Sequence, residues 1–529
     1  MTRPAVRIRH DEILRIIREG GGRALVALVG VQTNQFPHAV DLALPFVKAG
    51  IPVCIGGFHV SGCIAMLPEL PPDIKEAQDF GISLFAGEAE DGRLDEVFRD
   101  AWNGRLKPLY NHMDVLPSLE GQPTPMLPTD LVHKIHGFYS CMDLGRGCPY
   151  QCSFCTIINV QGRKSRSRSP DDVEKIIREN YALGIKRFFV TDDNFARNTA
   201  WEALFDRIIQ MRSNGFKDIG FTLQVDTLCH KIPNFIEKAA QAGVQHTFIG
   251  LENINPDNLN GAKKRQNKIT DYRVMLQKWR DHGVITLAGY ILGFPADTKE
   301  SILREVEIIK RELPLDILEF FILQPLPGSE DHKVLQAKGV WMDPDMNKYD
   351  VNHRVAHHAR MTDAEWVDVY KLAWKNYYTP EHIRTLFRRT AANRRGQVGT
   401  LAWMIQTFSP SIPVERIHPL ERGHRRLKYR LDRRRGMRLE SPLLFYPRYF
   451  VGSAVKQLRY WLHNRMVERI TREVLAAPDR WTYQDIATTP QADEEFASLD
   501  LYHATRGGEE AISRRRRDDA IRAGVHATI

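Results

Sequence analysis

An α/β fold built on a parallel sheet is predicted, and three observations predict it. Apolar runs of strand length alternate with amphipathic stretches of helix length from residue 138 to residue 324. Helical stretches open on start signals and close just before glycines, at Gly184, Gly215, Gly243 and Gly283. The repeats are long enough for helical crossovers, which join parallel strands with a right-handed sense. Strands are expected at 138–144, 187–191, 221–225, 247–251, 287–292 and 318–323. Helices are expected at 170–182, where Ser169-Pro170 marks the start, and at 199–214, 233–242, 270–282 and 298–313. Six strands are too few to close an eight-stranded barrel, so the expectation is a partial one.

Residues 24–104 read as further βα units. Strands are expected at 23–31, 53–55 and 82–85, with helices at 37–49 and up to Asn103, and the second strand runs into Gly56-Gly57-Phe58-His59. Beyond Gly328 the parallel pattern stops. Residues 362–378 form a helix whose stripe of Trp366, Val369, Tyr370, Ala373 and Trp374 reads as core, and 380–440 is basic and helical. A helix at 451–466 gathers Val451, Ala454, Val455, Leu458, Trp461 and Leu462 on one face. Such a face either packs onto the barrel or lies on an anionic membrane surface. From Pro478 the chain is polar, and a partly disordered tail is expected. The expected divisions are 1–125, 126–345, 346–440 and 441–529.

Composition narrows the class. A chain of 529 residues with 43% hydrophobic and 26% charged residues is globular, and long enough for more than one domain. Seven cysteines, an odd number, argue for a reducing compartment and against a disulfide framework. The first ten residues lack a signal peptide's apolar stretch, and no apolar run approaches the roughly 20 residues of a membrane span. A cytoplasmic protein is expected, with peripheral membrane contact at most. The net charge of +9 is uneven: Arg416, Arg422, Arg425, Arg426, Lys428, Arg430, Arg433, Arg434, Arg435 and Arg438 crowd one stretch, and Arg514 to Arg517 form a second. These runs suit anionic surfaces, or are simply solvated faces.

The most informative residues are Cys148-Pro-Tyr-Gln-Cys152-Ser-Phe-Cys155. Three thiolates on one tight loop are natural ligands for an iron–sulfur cluster, whereas structural zinc takes four ligands, usually in paired knuckles. Cys54, Cys63, Cys141 and Cys229 are scattered singly. Three cysteines leave one iron of a cubane open to a small molecule. The spacing, with Phe154 before the last cysteine, resembles the signature of the radical S-adenosylmethionine (SAM) enzymes.

That resemblance, which covers about residues 138–330, implies a partial (β/α)6 barrel with a [4Fe–4S] cluster on Cys148, Cys152 and Cys155. SAM would lie at the C-terminal rim. Asp192, Asp193 and Asn194 stand where the family's Gly-Gly-Glu motif binds the methionyl amine, although the aspartates replace its glycines. Glu252 matches the ribose-binding residue of the fourth strand. Gly289, Ile291 and Gly293 belong to a GxIxGxxP motif that passes close to adenine. Residues 1–125 resemble an incomplete Rossmann-like cobalamin-binding domain, with Gly56-Gly57 as its third motif. The Asp-x-His-x-x-Gly motif that supplies a lower axial histidine occurs nowhere, which leaves cobalamin an open question and His59 a tempting substitute.

The resemblance implies a transferase of the cobalamin-associated radical group, acting in methylation, cyclisation or rearrangement. Its substrate would be a small tetrapyrrole-like or lipid-like molecule, and its electrons would come from a low-potential donor such as flavodoxin or ferredoxin. No residue is singled out for the substrate's own chemistry. The alternatives are an RNA-modifying enzyme resembling the methylthiotransferases and a non-catalytic iron–sulfur redox sensor. Nucleic acid is the weaker partner, because only Cys54 and Cys63 lie where methylthiotransferases carry a second cluster.

Overall fold

The computed structural model describes residues 8–123, 139–393, 395–421, 428–431, 433–434, 436–489 and 498–522. The expected strand residue Phe138 and several arginines of the basic stretch lie outside them. Two parallel sheets organise the chain. The first comprises β1 (Val26–Leu28), β2 (Val53–Gly56), β3 (Ser83–Ala86) and β4 (Leu109–Asn111), side by side in that order. The pattern had not suggested β4, which is only three residues long with a single buried side chain, Tyr110.

The second sheet contains all six strands expected from the apolar runs. These are β5 (Tyr139–Met142), β8 (Arg187–Val190), β9 (Gly220–Val225), β10 (Val244–Glu252), β11 (Ile285–Leu292) and β12 (Ile317–Ile322). Their order is β12-β11-β10-β9-β8-β5, every pairing parallel, as an open βα barrel requires. A short antiparallel ribbon, β6 (Gly145–Arg146) with β7 (Arg166–Ser167), brackets the cysteine loop. Helix Pro170–Ala182 begins where Ser169-Pro170 predicts. The Ser169 hydroxyl accepts from the amide of Asp172 at 3.1 Å, the Asp172 carboxylate accepts in return, and Val173, Ile176 and Ile177 bury the inner stripe.

The two sheets meet through close contacts. Helix Phe58–Met66 brings Gly62 against the loop after β12: a Cβ on Gly62 would lie 2.8 Å from the Pro327 carbonyl oxygen and 2.9 Å from Gly328 Cα. Beside them Arg146 pairs with Glu88 and Glu90, each at 2.7 Å, and with Asp143 at 2.8 Å, while Arg166 also reaches Glu88. These ions are largely buried, so each charge depends on its partners.

The C-terminal part departs from the expected pattern in places. Residues 380–440 are not helical throughout. Helices Pro380–Ala392 and Val398–Phe408 are followed by a π-helical turn, Ser411–Glu415, and a 3-10 turn, Pro419–Glu421, and the described residues of 428–440 carry no helix. The amphipathic helix is longer than expected, Pro442–Ala476, and its apolar face does not dock. Tyr460, Val467, Ile470 and Val474 turn inward while Val451, Val455, Leu458, Trp461 and Leu462 are exposed. Residues 498–522 pack against the body: Leu499, Leu501, Tyr502 and Ile512 join the barrel's core, and the Glu312 carboxylate accepts from the amide of Leu501 at 2.8 Å. Their short apolar spacing is diluted by charge, which hid it from the sequence pattern.

Strand β12 carries a buried carboxyl. Burial pushes Glu319 up to about 8, and pushes His418, whose Nε2 lies 3.8 Å away, down to about 3. The folded value of Glu319 lies above its unfolded one, so its contribution to folding is full below about pH 4.5 and is lost as pH rises through about 8. Glu319→Gln cannot ionise. Thermal melts between pH 5 and 8.5 are expected to show the wild type losing stability relative to this variant, by a few kcal/mol at most. Parallel curves would refute the assignment.

Candidate active site

The cysteine loop follows β5 and sits at the C-terminal edge of the barrel strands, where the ends of β8, β9 and β10 surround it. Cys152 is buried and Cys148 and Cys155 are half-buried. Burial and the neighbouring Cys152 push the Cys155 thiol up to about 12; Cys148 is raised for the same two reasons, partly offset by hydrogen bonds. Among the described residues no three His, Cys, Asp or Glu side chains converge on a single ion. A cluster in which each thiolate binds its own iron does not require that.

Hydrogen bonds to sulfur surround the loop. Asn194 Nδ2 donates to Cys148 Sγ at 3.9 Å and to Asp226 at 2.9 Å. Gln266 Nε2 donates to Cys152 Sγ at 3.5 Å. Arg197 clamps Asp226 at 2.5 and 2.9 Å and stacks 5.7 Å above the Tyr150 ring. Burial would raise Asp226, but the Arg197 hydrogen bond and charge outweigh it and hold the carboxyl below the usual range.

The two aspartates after β8 have separate places. Asp192 accepts from the amides of Leu144 and Gly145 at 2.7 and 2.8 Å and from Asn198 at 3.2 Å, so its carboxylate braces the turn into the cysteine loop. Burial pushes it up to about 7. It is therefore not free for an amine, contrary to the grouping of all three residues at 192–194. Asp193 lies close enough to Cys155 to raise that thiol, and burial pushes its own carboxyl up to about 6. No side-chain partner holds Asp193 among the described residues.

Glu252 ends β10 in the left-handed region, φ 62°, at a bulge in the pairing with β11. Its carboxylate meets Lys264 Nζ at 2.6 Å. Gly250 makes room for the pair, since a Cβ there would lie 2.6 Å from Glu252 Oε1. Burial would lower Lys264, but Glu252 and the cysteines Cys152 and Cys155 outweigh it and keep the amine charged. Its Nζ stands 5.8 Å from the Phe154 ring centre. Lys264 and Gln266 escaped the sequence reading: Lys263-Lys264-Arg265-Gln266-Asn267 looks like an ordinary solvated loop. The only available signal was its place directly after the fourth strand's short helix, Pro256–Gly261.

Phe154 packs edge-on to Phe294, ring centres 6.3 Å apart, which joins the cysteine loop to the glycine motif after β11. The glycines also serve the packing of the barrel. A Cβ on Gly293 (φ 102°) would lie 2.2 Å from the Trp366 ring, and one on Gly289 3.0 Å from Phe248. Their bare sides receive the protein's own aromatics. Ile291 between them is half-buried. Gly57 is similar, because its missing side chain is replaced by the backbone of Gly30 and Val31, 2.1 Å from where a Cβ would stand; Gly56 lies against Phe85. Both still line a cavity of about 440 Å³ at the ends of β1 to β3, with Phe58, Ser61, Gly87 and Arg146 around it. His59 is buried outside that lining, bonded to Asp73 at 2.7 Å and Thr33 at 3.3 Å.

Comparison with known proteins agrees with this arrangement. The family model described as Radical SAM superfamily matches residues 142–309. The bacteriochlorophyllide d C-8(2)-methyltransferase of Chlorobaculum tepidum is 26% identical over 388 residues, which are 68% of this chain and 80% of that protein. The hopanoid C-2 methylase of Rhodopseudomonas palustris is 24% identical over 63% of this chain, which spans 60% of that relative's length. The structure of the radical SAM methyltransferase TsrM from Kitasatospora setae, with cobalamin and a [4Fe–4S] cluster bound, superposes with a TM-score of 0.50. It shares 18% identity over 64% of this chain and 72% of its own, and so supports the fold. With its signature cysteines at the rim of an open parallel barrel, the chain carries a radical SAM domain over residues 142–309 and is similar to the bacteriochlorophyllide and hopanoid methylases named above.

Proposed function

We propose that the enzyme methylates, or cyclises, an apolar small molecule of tetrapyrrole or polycyclic-lipid type, in the cytoplasm and against a membrane. The observation that carries this reading is the set of groups around one loop: three cysteines, the unpartnered Asp193 carboxylate and the buried Glu252–Lys264 pair. They are complementary to SAM, which offers an ammonium, a carboxylate and ribose hydroxyls. Cys148, Cys152 and Cys155 would hold the cluster, Asp193 the ammonium and Lys264 the carboxylate, while Glu252 turns to the ribose. When bound and reduced by a low-potential donor, the cluster and SAM supply a deoxyadenosyl radical that removes a hydrogen atom from the substrate. The protein's own work is to orient these groups and exclude water. Asn194 and Gln266 keep the thiolates in place, and Phe154 and Phe294 close the apolar wall.

The 440 Å³ cavity fits the tail of a corrinoid in being smooth and apolar at glycine-lined strand ends. His59 is engaged by Asp73 and Thr33, so cobalamin would bind without a lower histidine. Two bodies of data test the proposal. Anaerobically reconstituted enzyme with a reductant should cleave SAM to deoxyadenosine, and deuterated methyl should reach a tetrapyrrole or triterpene substrate; an iron-loaded protein that leaves SAM intact refutes it. Hydroxocobalamin titration should give weak binding, with no nitrogen superhyperfine splitting in the reduced EPR spectrum. Tight binding whose nitrogen splitting vanishes in His59→Gln would overturn the cobalamin part.

A further inference from the structure

Helix Pro442–Ala476 is fastened to the body on one side only. Tyr460, Val467, Ile470 and Val474 are buried, Lys456 meets Glu415 at 2.7 Å, and His463 bonds Ser409 at 2.7 Å. Away from that side, Leu443, Leu444, Val451, Leu458, Trp461 and Leu462 are exposed by 84, 71, 64, 56, 57 and 53%. Leu444, Val451, Leu458 and Leu462 are spaced by seven, seven and four residues, so at helical periodicity they share one stripe. Between Ser441 and Val467 there is no Asp or Glu, while Arg448, Arg459 and Arg465 supply three cations besides Lys456, which is held by Glu415. The preceding segment repeats the combination, with Leu431, Met437 and Leu439 exposed among Arg430, Arg434 and Arg438.

We propose that this stripe is a docking surface for an anionic phospholipid bilayer, entered at head-group depth by a helix lying flat. The proposal deepens the functional reading, on which it rests for the reason an enzyme would need such a surface: an apolar substrate held in a membrane. Physical chemistry selects this occupant over the others. A second copy of the chain would bring two cationic rims face to face. A nucleic acid would want cations at the centre of the contact, where this helix has leucine and tryptophan. A flat-lying helix also agrees with the hydropathy, since no helix among the described residues is long and apolar enough to cross a membrane. Arginines at the edge can extend their stems along the apolar stripe and keep their charge among the phosphates.

The test uses the full chain, because Val467, Ile470 and Val474 belong to the core and a truncation before residue 442 would remove them. Co-sedimentation is measured with vesicles of phosphatidylcholine alone and with one-third phosphatidylglycerol. The wild type should pellet with the anionic vesicles and be partly released by 0.5 M NaCl. The variant L443S/L444S/V451S/L458S/W461S should bind at least ten-fold more weakly, with an unchanged circular dichroism spectrum. The surface assignment is overturned if the wild type stays in solution, or if the variant pellets equally well. It is also overturned if light scattering finds a wild-type dimer that this variant dissociates, or if RNA retards the wild type and anionic vesicles do not. Deoxyadenosine formation is measured in parallel. If it persists while vesicle binding fails, only the docking surface is lost; if it is absent, the radical reading falls and the vesicle result stands by itself.

Discussion

Replacing Cys148, Cys152 or Cys155 by alanine is expected to abolish both the brown absorbance of the reconstituted protein and its cleavage of SAM. Each thiolate would be one of three protein ligands, so loss of any one would leave a second iron exposed and the cluster labile. Substituting Cys54, Cys63, Cys141 or Cys229 should change neither. Burial pushes Cys54 up to about 11 and Cys229 up to about 12, and raises Cys63 further still, which marks them as inert thiols. Iron and sulfide analysis after anaerobic reconstitution checks the result. Wild-type iron content in the triple variant would overturn the ligand assignment.

The second large effect is expected at Glu252. Glu252→Ala should weaken SAM binding about ten-fold or more, as loss of a charge-assisted hydrogen bond of roughly 1.5–3 kcal/mol implies, with the cluster still present. Equilibrium dialysis on the reconstituted protein measures it directly. Structure adds a control that motif reading lacks. Glu252 is also the partner of Lys264, so Lys264→Met should weaken SAM binding as well and leave Glu252 an uncompensated buried carboxylate. If Glu252→Ala retained full affinity while Lys264→Met lost it, the ribose would be held elsewhere and the pair would serve the SAM carboxylate alone.

The legible parts of this molecule are those where a single local rule decides. Six parallel strands follow from six apolar runs, and the helix at Pro170–Ala182 begins and ends where its capping serine and following glycine place it. The cysteine loop is legible because its three cysteines lie within eight residues. Contacts between distant segments were not. Lys264 matters through Glu252 and the cysteine loop, none of which is its sequence neighbour. The glycines at 57, 289 and 293 read as room for a ligand, yet their bare sides take Val31, Phe248 and Trp366. An absent side chain reports that something approaches closely, without saying what. Helix Pro442–Ala476 left two readings open for a related reason: hydrophobic periodicity identifies an apolar stripe, whereas Tyr460, Val467, Ile470 and Val474, a less conspicuous set, do the docking.

The meeting of Gly62 with the Pro327–Gly328 turn carries a consequence for how this enzyme can diversify. The clearance between helix Phe58–Met66 and the turn after β12 is gauged by a glycine on each side, with no compressible side chain between them. Any larger residue at position 62 acts as a shim, prising the two halves apart by the width of a methyl group before it alters either interior. Side chains of the cavity walls and the outer loops can therefore vary while the spacing between the two sheets stays at one setting.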